Sequence, residues 1–198
     1  MAHSNTVLAQ MLKLLPRHEF QALAKKHHKG RKLRKMTRWA QFVAMASAQL
    51  TGRSSLRDLL SNLAAQSSKL YHLGVGLVSR SSLARVNENQ PWTLYEALFF
   101  NLLNRCQQQA PGHGFKFKNK LFYLDSSTID VCLSMFPWVR FRQAKGAIKL
   151  HVGLDHAGML PTFLSVTDGN SHDVTTGRML SLPNGSIVAF DRGYTDYT

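Results

Sequence analysis

Cysteine is nearly absent: Cys106 and Cys132 are the chain's two, and neither stands in a CxxC spacing. That excludes a zinc ribbon and a disulfide framework, and makes a reducing cytoplasm the expected compartment. Long apolar runs are missing too. Nothing approaches the roughly 20 residues of a membrane span, and the opening Met1-Ala-His-Ser-Asn lacks a signal-peptide core, so no membrane partner is expected. Acid is scarce, with 11 Asp and Glu against 25 Lys and Arg. Glutamate is scarcer still: Glu19, Glu88 and Glu96 all precede the first expected strand.

What is present is unevenly divided. Residues 1–118 hold 18 Lys and Arg against 4 acids, whereas residues 119–198 hold 7 of each, so the whole net charge of +14 lies in the front part. Such a front part is suited to a polyanion. Its densest stretch contains Lys25, Lys26, Lys29, Arg31, Lys32, Arg34, Lys35 and Arg38, with two histidines and no acid. The bland alternative is a solvated loop and helix end. Against it, eight unscreened cations repel one another, and DNA phosphate would screen them.

The front part reads as helices. Val7 to Leu15 is amphipathic, and Pro16 opens a second helix running to about Lys29, ended by Gly30. Thr37 caps a helix to Leu50 with Trp39, Phe42, Val43 and Ala46 inward, and Ser54 or Ser55 caps another with Leu56, Leu59, Leu60 and Leu63 inward. Gly74-Val-Gly76 precedes a third, led by Ser79 or Ser81. This pair suits a helix-turn-helix with Arg80, Arg85 and Asn87 toward DNA, though most helical hairpins bind none. Pro91 starts a helix to about Gln109, and Ala110-Pro-Gly-His-Gly114 is the expected boundary between domains 1–112 and 119–198.

The back part reads as strands. Lys120 to Asp125 and Ser186 to Asp191 each run four apolar residues into an aspartate, the pattern of strands buried on both faces. Between them, Ala147–Leu154 and Met159–Thr167 form a hairpin across Asp155-His-Ala-Gly158, and His172 to Leu182 forms a short helix capped by Ser171 or Asp173. Strand, strand, strand, helix, strand is the order of a ribonuclease-H-like sheet. Two carboxylates meeting at strand ends suit a hard cation. Taken on spacing alone, the favoured reading is that each aspartate caps a strand-end turn, as Asp155 and Asp168 are expected to do.

Phe122-Tyr-Leu-Asp-Ser-Ser-Thr-Ile-Asp130, Phe136-Pro-Trp-Val-Arg140, Lys145-Gly-Ala-Ile-Lys-Leu-His151, Pro161-Thr-Phe and Asp191-Arg-Gly-Tyr194 resemble the DDE transposases of bacterial insertion sequences, in the insertion-sequence-four branch. Ser79 to Trp92 is similar to that branch's N-terminal domain. The resemblance implies an α+β or α/β chain, a helical DNA-binding region followed by a ribonuclease-H-like domain. It implies Asp125 and Asp191 as catalytic ligands of Mg2+ or Mn2+, and double-stranded DNA, at element ends and target, as partner. It further implies a homo-oligomer in the active complex and a nucleoid-associated place in a bacterial cytoplasm. Lys145, Lys149 and Arg192 stand near these motifs as candidate phosphate contacts. The family's third acid, a glutamate on a later helix, has no counterpart here. The ribonuclease-H-like domain is therefore expected to be incomplete, and the chain inactive alone. The alternative is a non-catalytic truncated product that occupies element ends or inhibits a full-length transposase; a metal nuclease of this fold would need a complete acid set.

Overall fold

The computed structural model describes residues 6–112, 114–131 and 146–195. The chain divides into two compact units, Met1–Leu102 and Leu103–Thr198, with the division inside a helix.

The first unit is helical: α1 (Val7–Lys13), α2 (Arg17–Lys26), α3 (Arg38–Leu50), α4 (Leu56–Ala65), α5 (Ser67–His72), α6 (Arg80–Asn89) and the start of α7 (Thr93–Gln109). Thr37, Ser55 and Ser79 act as N-caps, their hydroxyls accepting from the N–H groups of Ala40, Asp58 and Ser82. Helix α2 stops at Lys26, earlier than its composition suggests, and Pro91 lies two residues ahead of α7. Trp39, Val43, Leu59, Leu63, Leu94 and Leu98 are buried as their helical spacing requires, while Phe42, Leu56, Leu60 and Leu102 pack against them partly covered.

Phe20 is fully buried at the centre, its ring 5.2 Å from Trp39 and 5.1 Å from Phe42. The Trp39 indole N–H donates to the Leu73 carbonyl at 2.8 Å, and Arg17 lies 5.2 Å over the same ring. Gly74 takes a φ of +67° with the Arg17 guanidinium packed against the place a Cβ would fill. Any side chain there would be strained twice over, by the backbone and by the arginine.

The run of cations contains one exception. Arg38 is buried; it donates to Gln41 Oε1 at 2.8 Å and to the Pro91 carbonyl at 2.7 Å, with its guanidinium 5.4 Å from the Tyr95 ring. Arg38 thus has a structural role, because it is the first residue of α3 and is turned inward there. Burial lowers the Arg38 pKa and pushes the Tyr95 phenol up to about 12.

The second unit carries a four-stranded sheet, β1 (Leu121–Val131), β2 (Gly146–Asp155), β3 (Leu160–Asp168) and β4 (Ile187–Phe190), with α8 (Asp173–Arg178) between the last two. The order is β3-β2-β1-β4, with β1–β2 and β2–β3 antiparallel and β1–β4 parallel. This is the mixed sheet expected of a ribonuclease-H-like domain. The hairpin turn bears out its reading: Asp155 Oδ1 accepts from the Ala157 N–H at 2.9 Å.

Two expectations are corrected. β1 does not stop at Asp125 but runs on to Val131, because Ser126 to Val131 pair with β2 without a break. β4 is an edge strand rather than a doubly buried one, leaving Ile187 42% and Phe190 49% exposed. Four apolar residues read alike in either place. Helix α8 is also shorter than expected, and its cap position, His172, makes no side-chain cap bond.

Replacing Arg38 by alanine leaves the buried Gln41 Oε1 and the part-buried Pro91 carbonyl without their donor, at a cost of about 2 kcal/mol. A thermal melt of the full chain should show a loss of roughly 4–8 °C per kcal/mol for a unit of this size, while Lys32→Ala should leave the midpoint unchanged.

Candidate functional site

The first unit gathers its charge around a groove. Lys25, Lys26, Lys29, Arg31, Lys32, Arg34 and Lys35 are all exposed, at the end of α2 and in the loop leading to α3. This loop is held in place by neutral bonds. The Gln90 amide donates to the Lys29 carbonyl at 2.7 Å and accepts from the Lys29 N–H at 3.3 Å, and a ring nitrogen of His27 meets Thr93 Oγ1 at 2.9 Å. Leu33 packs on the core and Met36 is buried. Between loop and helix lies a groove of about 700 Å³, lined by Lys29, Arg31, Lys32, Arg34 and Lys35 on one side and Ser82, Arg85 and Asn89 of α6 on the other.

Helical geometry sorts the α6 candidates. Ser82, Arg85 and Asn89 share one face by their spacing, whereas Asn87 lies two positions, about 200°, from Arg85. Its side chain turns to α3, accepting from Gln41 Nε2 at 2.6 Å and approaching Met45 Sδ at 3.4 Å. Asn87, though exposed, thus bridges α6 to α3 and lies outside the groove lining. Arg80 is exposed at the first position of α6 and stays outside the groove lining. Ser82 and Asn89 drew no attention as sequence. The signal available was their i, i+3, i+7 relation to Arg85.

In the second unit, parallel pairing runs from Leu121–Ile187 to Leu124–Phe190. One further step along each strand puts Asp125 level with Asp191, on neighbouring strands roughly 4.8 Å apart. Both carboxylates are exposed. One oxygen of each is engaged locally, Asp125 Oδ1 by the Ser126 N–H at 2.7 Å and Asp191 Oδ1 by the Arg192 N–H at 2.6 Å. The second oxygen of each receives no donor among the described residues. Two exposed hard oxygens side by side fit a divalent cation that keeps most of its water. No set of three or more metal-ligating side chains converges among the described residues, so the pair offers two protein ligands.

Beside the pair lies a polar cluster. Tyr194 closes the turn after Asp191 and is 8% exposed; its hydroxyl is 3.0 Å from Nδ1 of His151, a β2 residue with no exposed surface. His151 Nε2 lies 3.0 Å from Thr167 Oγ1 and 3.3 Å from Thr176 Oγ1. Asp173 approaches His151 Nδ1 at 3.6 Å and Lys149 Nζ at 3.2 Å. Burial pulls the imidazole below its usual range, with Asp173 raising it and Lys149 lowering it. Burial also pushes the Tyr194 phenol up; a hydrogen bond with Ser126 opposes this, and the carboxylates of Asp173, Asp125 and Asp191 add to it.

Lys149 donates to the Ser171 carbonyl at 3.0 Å besides pairing with Asp173, and is thereby withdrawn from phosphate contact. Arg192 is exposed next to Asp191, where it was expected. Lys145 and the Phe136–Arg140 motif lie outside the described residues.

Residues 116–198 match the family described as Transposase DDE domain, and residues 3–76 match a domain of unknown function, DUF4372. The first match spans the whole of the described sheet, β1 to β4, and neither match covers half of the chain. Among curated proteins, one named as the transposase y4zB of Sinorhizobium fredii is 27% identical over 115 residues, 58% of this chain. One named as a transposase for insertion sequence element IS5377, from Geobacillus stearothermophilus, is 25% identical over 114 residues, also 58% of this chain. The matched part spans 31% and 30% of those proteins. No solved structure matches the chain. No helix among the described residues is long and apolar enough to cross a membrane.

The lowered His151 pKa sets a pH window. Folding favours neutral imidazole, so its contribution is present above the unfolded value near 6.5 and is lost as pH falls through the lower folded value. Thermal midpoints of the full chain should fall from about pH 6.5 downward, and His151→Gln should flatten that part of the profile.

Proposed function

We infer that this chain acts in DNA transposition at insertion-sequence ends, holding duplex DNA with its first unit and presenting Asp125 and Asp191 to a divalent metal and the DNA backbone with its second. The observation that carries this reading is the parallel register of β1 and β4, which brings Asp191, just past the end of β4, level with Asp125 midway along β1, in a segment that matches the transposase DDE domain. The order and spacing of the motifs favour the insertion-sequence-four branch.

Mg2+ or Mn2+ bound at Asp125 and Asp191 would supply activation of a water or 3′-hydroxyl and stabilisation of the leaving oxygen at a phosphodiester. The chain's own residues do the rest. The exposed cations of the loop neutralise phosphates along one strand, and Arg85, on the facing helix, is the side chain best placed to reach a base edge. Arg192, beside Asp191, supplies a cation where the scissile phosphate must lie. Asp173, whose charge acts with the pair's on the Tyr194 phenol, is already committed to Lys149 and His151. The chain alone thus holds one divalent ion weakly and binds DNA without cutting it. Cleavage and joining require a further carboxylate ligand, and the active complex is a homo-oligomer on element ends.

DNA binding by the full chain should weaken steeply with salt. Substituting Lys32, Arg34 and Lys35 together should lower the slope of log K against log salt by up to roughly 0.9 for each phosphate no longer neutralised, on every duplex alike. Arg85→Ala should instead narrow the gap between element-end and random DNA. Unchanged salt slopes in the triple variant would remove the groove from the interface.

On the chemical side, Asp125→Asn or Asp191→Asn should abolish Mn2+ binding measured by water-proton relaxation, with DNA affinity retained. Magnesium-dependent nicking by the purified 198-residue chain, lost on Asp125→Asn, would show that the acid set is complete as it stands.

A further inference from the structure

Asp191 has little to hold it. It follows an edge strand of four residues, paired on one side only, with Ile187 and Phe190 half exposed. Its backbone is extended, and the chain then turns through Arg192–Tyr194. An edge strand so short would allow the carboxylate to wander relative to Asp125 unless the turn beyond it were fixed.

Tyr194 fixes it from behind. The side chain leaves the end of β4, passes β1 and reaches His151 on β2. The rings of His151 and Tyr194 meet edge to face at 6.2 Å and 79°, and Phe190 packs on Tyr194 at 6.3 Å. His151 pairs across from Ser126, and Asp125 across from Val152. Successive strand residues point to opposite faces, so the histidine works on the face opposite the one bearing the Asp125 carboxylate. Thr167 and Thr176 meet the other ring nitrogen, so the imidazole cannot rotate without giving up bonds at both ends. The turn is also clamped at Gly193, where an added Cβ would stand 2.9 Å from Asp173 Oδ2.

We propose that His151 and Tyr194 are positioning residues: their buried contact holds the Asp191 carboxylate level with Asp125 and so sets the chain's affinity for a divalent cation. This rests on the reading of Asp125 and Asp191 as metal ligands. Groups that orient metal ligands from a second layer typically contribute 10- to 100-fold in affinity.

The test uses the full chain and Mn2+ alone, with two readouts: Mn2+ affinity by water-proton relaxation, and amide hydrogen exchange of the peptide spanning Ile187 to Thr195. Tyr194→Phe keeps the ring and removes only the hydroxyl, so the protein should still fold, its thermal midpoint lowered only by the loss of one buried hydrogen bond. Exchange of that peptide should speed up, and Mn2+ affinity should fall about tenfold. His151→Leu should do the same, and His151→Gln, whose amide can still meet the hydroxyl, should restore most of the affinity. Wild-type affinity in Tyr194→Phe would overturn the proposal, whether or not exchange changed. Loss of affinity in Tyr194→Phe without faster exchange would overturn it too. Should Asp125→Asn and Asp191→Asn bind Mn2+ like the unaltered chain, the metal-ligand reading fails instead, a result independent of the exchange measurement.

Discussion

The second unit depends on the four-residue parallel ladder between β1 and β4. The antiparallel hairpin of β2 and β3 pairs segments that are neighbours in sequence, but the ladder joins segments more than 60 residues apart and brings the two aspartates to one level. A slip of one residue would put one carboxylate on the far face of the sheet. Leu121, Phe122 and Leu124 resist that slip because they are buried. The register, more than either acid's identity, is what brings the pair together.

Much of the architecture was legible in the sequence because it rests on local signals. Serine and threonine caps, leucine spacing and the Asp155 turn act within a few residues of themselves, and each forms as its chemistry requires. β2 was harder. Its alternation sets Ile148, Leu150, Val152 and Leu154 on the apolar phase, which invites the conclusion that this phase faces inward. Instead Gly146, Ala147, His151 and Gly153 are the buried ones, while the apolar four are only partly covered. The cover comes from α8 and the turn at Tyr194, and what those elements bring is polar: Asp173, Thr176 and a phenol. No periodicity within β2 announces a partner that arrives some 20 to 40 residues later.

The basic stretch illustrates the same limit from the other direction. Composition marked eight cations as one group, yet the structure divides them, keeping seven in solvent and burying Arg38 against Tyr95 and the Pro91 carbonyl. Likewise Arg85 and Asn87, near neighbours in the sequence motif, serve opposite sides of α6. In both cases one turn of helix decides the role, and that turn's orientation is set by packing against distant residues rather than by its own composition.

The loop that carries the cations is fastened by groups without charge: the double amide contact between Gln90 and Lys29, the His27–Thr93 bond and the burial of Met36. Dissolved ions screen charge–charge attraction but scarcely touch neutral hydrogen bonds or apolar packing. Shape and grip therefore answer to different variables. Raising ionic strength would thus loosen any phosphate held there while the groove's walls stay where they were, so the cost of forming the surface falls on folding and is not incurred again with each encounter.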